Sequence, residues 1–169
     1  KKLIINIASR EIEDIKNKIK FFEKKNELEE ILLEVGFQAY PTELIDSGIS
    51  KLKTLNSLFP NKIVFADHID GKDINAKILP IIAINLGVDV IEKHIMHSEL
   101  PTEYDHFSSL DVNGIKDLIN LIKQYDVLNG QPFINNAEKA YYEKSIQIPV
   151  FKNEITCNET LSMKDFNFK

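Results

Sequence analysis

Four short apolar runs recur along residues 1–130, and each is followed by a stretch with helical spacing. The runs cover residues 3–7, 30–35, 63–66 and 88–92, so that one run and its helix occupy about 30 residues. Strands that alternate with helices predict a parallel sheet with helices packed against it. The pattern therefore predicts an α/β domain. Four units fit either a small doubly wound fold or half of an eight-stranded barrel.

Apolar side chains at three- and four-residue steps predict helices over residues 9–26, 44–59, 73–86 and 111–128. Ser9 and Asp73 are the predicted residues at the start of the first and third helices. The second helix has an irregular beginning, and its regular part is expected to start near Ile49. Pro80 is predicted to kink the third helix, because proline removes an internal hydrogen bond.

The pattern changes after Gly130. Residues 131–144 carry few apolar side chains and are predicted to be a linker with a short helix at 137–143, whereas residues 144–150 alternate like a strand. A segment of about 25 residues cannot bury a core of its own. We therefore expect residues 145–169 to begin a further domain. Since the chain also starts inside a strand and without Met, we expect it to be a piece of a longer protein.

Composition narrows the class of protein. A charged fraction of 28% with a net charge of −5 provides no basic surface for nucleic acid. No apolar run approaches the roughly 20 residues that a membrane span needs. The single cysteine, Cys157, cannot form an intramolecular disulfide and fits a reducing compartment. We expect a cytoplasmic protein with neither a nucleic acid nor a membrane as its partner.

Two histidines follow the third and fourth apolar runs. His68 and His94 stand at the carboxyl ends of predicted neighbouring strands, which lie about 5 Å apart in a sheet. Both imidazoles could therefore reach one divalent metal ion, and Asp67 and Glu92 would be available to orient a ligand or a water. The alternative is that histidines at strand ends only contact backbone groups or face solvent. With two visible ligands, spacing leaves both interpretations open.

Residues 95–109 form a long segment without periodicity, which indicates a functional loop. The loop contains His97, His106 and Asp105. Gln38 and Tyr40 follow the second run, and their side chains would lie at the same edge of the sheet. Asp105 and Tyr40 also have ordinary explanations, because a carboxylate in a loop is usually solvated and a tyrosine before proline usually packs against other side chains.

Several of these segments resemble the N-acetylneuraminate (sialic acid) synthase family. They are AYPT at 39–42, FP at 59–60, FADH at 65–68, LGVDVIEKH at 86–94 and DH at 105–106, in the family's order. Residues 145–166 resemble the start of that family's antifreeze-like domain. The resemblance implies that residues 1–130 are the second half of a TIM (β/α)8 barrel, strands five to eight. A linker at 131–144 and a truncated antifreeze-like domain at 145–169 would follow.

The family condenses phosphoenolpyruvate with an N-acylated amino sugar such as N-acetylmannosamine and releases phosphate. The resemblance implies that His68 and His94 bind a divalent metal ion, Mn²⁺ or Mg²⁺, and that Glu92 has a catalytic role beside a water at the metal. It also implies a homodimer for the full-length protein and no activity for this fragment alone. The positions that it assigns to substrate binding are those of Asn6, Gln38, Tyr40 and Asp105.

The chain departs from the family at several of these positions. Ala66 and Asn6 replace serines, Gln38 replaces an asparagine, and the family's Pro-Gly-Pro-Asp turn is TEYD at 102–105. The histidine or lysine that usually precedes the YPT loop is missing. These departures indicate a synthase with a different sugar or a weakened activity. The alternatives are a catalytically silent relative that acts as a sugar-binding or interaction module, and an enzyme of another reaction, such as a different phosphoenolpyruvate-condensing synthase or a lyase.

Overall fold

A parallel sheet forms the centre of the first of two structural units. The computed structural model describes residues 1–24, 28–37, 39–97 and 105–169, and it divides into the units Lys1–Asp126 and Val127–Lys169. Each strand of the sheet pairs in parallel with the strand before it in sequence. The order is β1 (Lys2–Asn6), β2 (Glu30–Val35), β3 (Ile63–Asp67), β4 (Val90–Lys93). The predicted α/β fold with a parallel sheet is confirmed.

A helix follows each strand, as the periodicity predicts. The four helices are α1 (Ile12–Glu23), α2 (Leu52–Leu58), α3 (Asn75–Asn85) and α4 (Val112–Asn129). The helix α3 continues through Pro80, whose side chain is buried. Asp73 lies before this helix and accepts a hydrogen bond from the backbone N–H of Asn75, at 2.8 Å.

Two helices begin later than the periodicity predicts. The backbone of Ser9 is left-handed, with a φ of 58°, and the residue before the first turn of α1 is Glu11. Short 3₁₀ turns at Leu44–Asp46 and Ile49–Lys51 precede α2. They are separated by Gly48, whose φ of 76° cannot belong to a right-handed helix.

The helices pack on one face of the sheet, where the hydrophobic core lies. Because side chains alternate along a strand, Leu33 and Phe65 point towards the helices, where they join Leu52 of α2 and Leu79 of α3 in one buried cluster. The opposite face of the sheet, here termed the far face, carries polar side chains near the strand ends. The strand pairing places these residues on it: Asn6, Glu34, Ala66, Glu92.

The second unit contains α5 (Asn136–Ser145) and an antiparallel pair, β5 (Pro149–Phe151) with β6 (Phe166–Phe168). Asn135 and Glu138 form a capping box that starts α5, so a helix occupies much of the predicted linker. The assignment of residues 145–169 to an antifreeze-like domain stays a prediction. In the described part of the chain, no helix has both the length and the apolar character needed to cross a bilayer.

Candidate metal centre

The ends of β3 and β4 bring three potential metal ligands together. His68 follows the last residue of β3, while Glu92 lies in β4 and His94 directly after it. One ligand atom from each of these residues lies within 4.8 Å of the other two. Two imidazoles and one carboxylate form a donor set that suits a divalent transition metal. The predicted convergence of His68 and His94 is present in the structure, and Glu92 joins them directly.

The ring of His68 is held in one orientation. Its side chain is buried, with 3% of the residue exposed, and Nδ1 lies 3.0 Å from the carbonyl oxygen of Phe37. A carbonyl can only accept, so Nδ1 carries the proton and Nε2 keeps its lone pair for a ligand. Burial lowers the pKa of His68 below its ordinary value, which outweighs the opposing effect of the hydrogen bond to Phe37. The ring is therefore kept in the neutral form that binds metal.

The backbone of His68 is fixed from both sides. Its carbonyl oxygen accepts hydrogen bonds from the N–H of Thr42, at 2.8 Å, and from the buried hydroxyl of Ser108, at 2.7 Å. The hydroxyl of Thr42 also donates to the carbonyl of Ala39, at 2.7 Å. The connection after β2 and the segment after β4 thus meet at the residue that carries the first imidazole.

Aromatic contacts and one carboxylate surround His94. The ring of Tyr40 stacks on His94, with centroids 5.4 Å apart, and meets His68 edge-on at 4.7 Å. Oδ2 of Asp105 lies 3.8 Å from Nδ1 of His94. Burial raises the pKa of Tyr40 above its ordinary value, and the charges of Asp105 and Glu92 raise it further. The tyrosine therefore presents a protonated hydroxyl group beside the two imidazoles at neutral pH.

A second carboxyl group, Glu34, faces Glu92 across the far face. Partial burial raises the pKa of Glu92, and the charge of Glu34 and a hydrogen bond with Glu34 raise it further. Glu34 also accepts a hydrogen bond from the amide of Asn6, at 2.6 Å, while the amide oxygen of Asn6 accepts the N–H of Ala8, at 2.9 Å. Sequence reasoning missed Glu34. The available signal was a charged residue that interrupts the apolar run near the carboxyl end of the strand EILLEV.

Asp67 does not join the candidate metal ligands, although its position beside His68 suggested that its carboxylate could orient a ligand or a water there. It is cross-strand partner to Lys93, and the two buried side chains form an ion pair with Nζ 2.8 Å from Oδ2. Side-chain alternation directs Asp67 away from the far face, because it follows Ala66, whose side chain lies on that face. The carboxylate that joins the two imidazoles in the candidate ligand group is instead Glu92.

The other two histidines lie apart from the metal-ligand cluster in the described structure. His97 is exposed, and the ring of His106 packs on Phe107, with centroids 3.8 Å apart. Gln38, the predicted substrate-binding residue before Tyr40, lies outside the described residues, and so does the 102–104 part of the altered turn. Asp105 is described and has a left-handed backbone, with a φ of 65°.

The Glu34–Glu92 pair leads to a pH-dependent prediction. Glu34→Gln should lower the pKa of Glu92 towards its ordinary value of 4.5, because a negative charge beside it is removed. A raised pKa means that the folded state holds the proton more tightly than the unfolded state. The resulting stabilisation is present below pH 4.5 and is lost as the pH rises through the folded pKa.

Carboxyl NMR titration of the metal-free protein measures this pKa directly. Glu29→Gln is the matched control, because Glu29 is exposed beside the amino terminus and 3.3 Å from the terminal amine. The titration of Glu92 should move in Glu34→Gln and stay in place in the control. An unchanged Glu92 pKa in Glu34→Gln would contradict the described pairing.

Comparison with known proteins identifies relatives of this chain. The model of the NeuB family matches residues 1–133, which is more than half of the chain. An uncharacterised protein of Methanocaldococcus jannaschii is 28% identical over 171 residues, which cover 100% of this chain and 49% of that protein. The pseudaminic acid synthase of Helicobacter pylori is 35% identical over 100 residues, 57% of this chain and 28% of the enzyme. The chain thus spans about half the length, or less, of these relatives.

A solved structure has the same fold. The N-acetylneuraminic acid (sialic acid) synthetase of Leptospira borgpetersenii, a complex with citrate, matches with a TM-score of 0.67 and 23% sequence identity. The match covers 84% of this chain and 49% of that one. At this identity the structural likeness concerns the fold, whereas the family model rests on the sequence. The chain belongs to the NeuB family.

Proposed function

We propose that the intact protein is a metal-dependent synthase that condenses phosphoenolpyruvate with an N-acylated amino sugar, giving a nonulosonic acid and phosphate. The observation that supports this most strongly is the cluster of His68, Glu92 and His94 at neighbouring strand ends. Membership of the NeuB family supports the same reaction class, since a relative of this chain is named a pseudaminic acid synthase. The chain itself carries one part of that proposed site.

The sheet is, in this proposal, half of a (β/α)8 barrel. A doubly wound sheet reverses its strand order at a switch point, whereas the order β1-β2-β3-β4 advances without reversal. When the strand order advances in one direction and every connection is right-handed, all the helices lie on one side of the sheet. In a closed barrel the far face would point inward, with its polar strand ends at the active end. Residues 131–144 would then be a linker and residues 145–169 the start of an antifreeze-like domain, in a homodimeric protein.

The donor set favours Mn²⁺ over Mg²⁺ as the bound ion. Mg²⁺ prefers oxygen ligands and retains several waters, whereas imidazole nitrogen suits transition metals. The neutral His68 ring, with Nε2 unprotonated, fits such an ion without rearrangement. When bound, the ion supplies Lewis acidity, which makes the carbonyl carbon of an open-chain sugar more electrophilic.

The surrounding residues would bind and orient the substrates. Tyr40 offers a protonated hydroxyl group and an aromatic face beside the imidazoles. Asp105, whose side chain is 48% exposed, is placed to accept hydrogen bonds from sugar hydroxyl groups. Asn6 and Gln38 are the further proposed substrate contacts. In this proposal Glu92 accepts a proton from water near the reacting carbon, a task that suits a carboxyl group with a raised pKa.

Phosphate release by the intact protein tests the proposed reaction. With Mn²⁺, phosphoenolpyruvate and a panel of N-acylated hexosamines, we expect phosphate to appear with at least one sugar and not without sugar. Chelation of the metal should stop the reaction. If no sugar in the panel elicits phosphate, the proposed synthase activity is refuted. Sugar binding by calorimetry without turnover would instead identify the silent relative, an alternative motivated by Ala66 and by the changed turn at 102–105.

A further inference from the structure

A buried ion pair lies behind the candidate metal ligands. Nζ of Lys93 is 2.8 Å from Oδ2 of Asp67, and the two side chains are 3% and 1% exposed. The residues are direct partners in the β3–β4 ladder. They are also sequence neighbours of all three potential ligands, because Asp67 precedes His68 and Lys93 separates Glu92 from His94. The pair therefore joins the two backbone segments that carry the ligands.

Both members of the pair also bind the residue that follows His68. Oδ1 of Asp67 accepts the N–H of Ile69, at 3.0 Å, and Nζ of Lys93 donates to the carbonyl oxygen of Ile69, at 3.2 Å. The peptide groups on either side of the Ile69 α-carbon are thus held by one carboxylate and one ammonium group. Because His68 lies between Asp67 and Ile69, its backbone direction is determined at both ends.

Stability alone is a weak reason for such a pair. Removing two charges from water is unfavourable, and apolar residues of similar volume often stabilise a core equally well. A metal site, in contrast, needs its ligand atoms at fixed separations. Partners outside the coordination sphere that hold ligands in place typically change metal affinity by 10–100-fold.

We propose that Asp67 and Lys93 are positioning residues that set the separation and direction of His68, Glu92 and His94 for metal binding. This inference rests on the proposed metal site. Neither residue belongs to the group of potential ligands. Each acts through the backbone, by holding β4 against the turn that follows His68. The pair should therefore influence affinity for the ion more than it influences folding.

The double variant Asp67→Asn/Lys93→Met tests this role in the intact protein. It removes the cross-strand link without leaving a buried charge, and the asparagine oxygen can still accept the N–H of Ile69. We expect Mn²⁺ binding, measured by calorimetry, to weaken about 10-fold or more. The line shape of the bound Mn²⁺ in electron paramagnetic resonance should also change, because the ligand geometry is altered.

Two further variants separate positioning from general stability. Lys77→Met removes a contact of the same length, 2.8 Å to Asp117, which lies on the outer helices and is more exposed. It should leave Mn²⁺ affinity within about twofold of wild type even where it lowers the melting temperature. The single variant Asp67→Asn keeps an oxygen that can accept from Lys93 and from the N–H of Ile69, although it leaves the buried ammonium group without a counter-charge and should lower stability. It should weaken binding in the same direction by a smaller factor, and it provides the test if the double variant does not fold.

The outcomes distinguish this inference from the proposed function. If the wild-type protein does not bind Mn²⁺, the proposed metal site itself is wrong. If the wild type binds and the folded Asp67→Asn and double variants bind equally well, the site stands and the positioning role is refuted. Should the double variant not fold, wild-type affinity in Asp67→Asn overturns the inference on its own. Weaker binding in these variants, with wild-type affinity in Lys77→Met, supports it.

Discussion

Replacing His68 or His94 by alanine is expected to abolish the stabilisation that Mn²⁺ gives the intact protein. Each residue supplies one of the three clustered donor atoms, and the remaining two cannot enclose the ion in the same way. Loss of a ligand should weaken binding by at least about 100-fold, or about 2.8 kcal/mol. At a metal concentration of about 100 times the wild-type Kd, stabilisation of about 2.7 kcal/mol would fall to about 0.4 kcal/mol.

Thermal melting with and without Mn²⁺ measures this change. His97→Ala is the matched control, because His97 is an exposed histidine that the structure leaves out of the cluster. The control should keep the full metal-dependent shift, while His68→Ala and His94→Ala should lose nearly all of it. Wild-type shifts in both ligand variants would contradict the assignment of these histidines.

Gly71→Ala is expected to destabilise the fold and weaken the candidate metal centre together. A β-carbon at position 71 would stand 1.9 Å from the carbonyl oxygen of Ser109 and 2.7 Å from its carbonyl carbon. The N–H of Gly71 also donates to the carbonyl of Phe107, at 2.7 Å, so the two backbones are already in contact. Only a backbone shift can relieve this overlap, and overpacking of this kind typically costs about 1–3 kcal/mol.

The effect should extend to the metal ligands, because the displaced segment includes Ser108, whose hydroxyl binds the carbonyl of His68. Chemical unfolding gives the loss of stability, and Mn²⁺ titration gives the loss of affinity. Lys72→Ala is the control, since it changes an exposed side chain in the same loop. If Gly71→Ala has the same midpoint of chemical unfolding as the wild type, the described close approach of the two segments is wrong.

The parts of the fold that sequence could predict are those with strong local signals. The second strand has the predicted bounds, Glu30–Val35, because a short apolar run lies between polar residues and a glycine. The neighbouring positions of His68 and His94 followed from the rule that parallel strands end at the same edge. The sequence predicted an irregular start of the second helix, but it did not predict the left-handed backbone of Gly48.

The parts that sequence could not predict depend on pairing between strands. Alternation separates the directions of Ala66 and Asp67, but it does not tell which of them faces the helices. Packing of the helices decides the face, and the β3–β4 register decides the partners, pairing Asp67 with Lys93 and Ala66 with Glu92. The same applies to Glu34, whose contact with Glu92 requires that three strands be aligned. Such contacts have no signature within a single stretch of sequence.

The most direct measurement of the central claim is an anomalous-scattering map from crystals of the intact protein grown with Mn²⁺. We expect one strong peak within bonding distance of Nε2 of His68, a nitrogen of His94 and a carboxylate oxygen of Glu92, or a water held by it. The peak should be missing in crystals of His68→Ala. If the protein releases phosphate from phosphoenolpyruvate and the map shows no Mn²⁺ at these three residues, they are not the metal site.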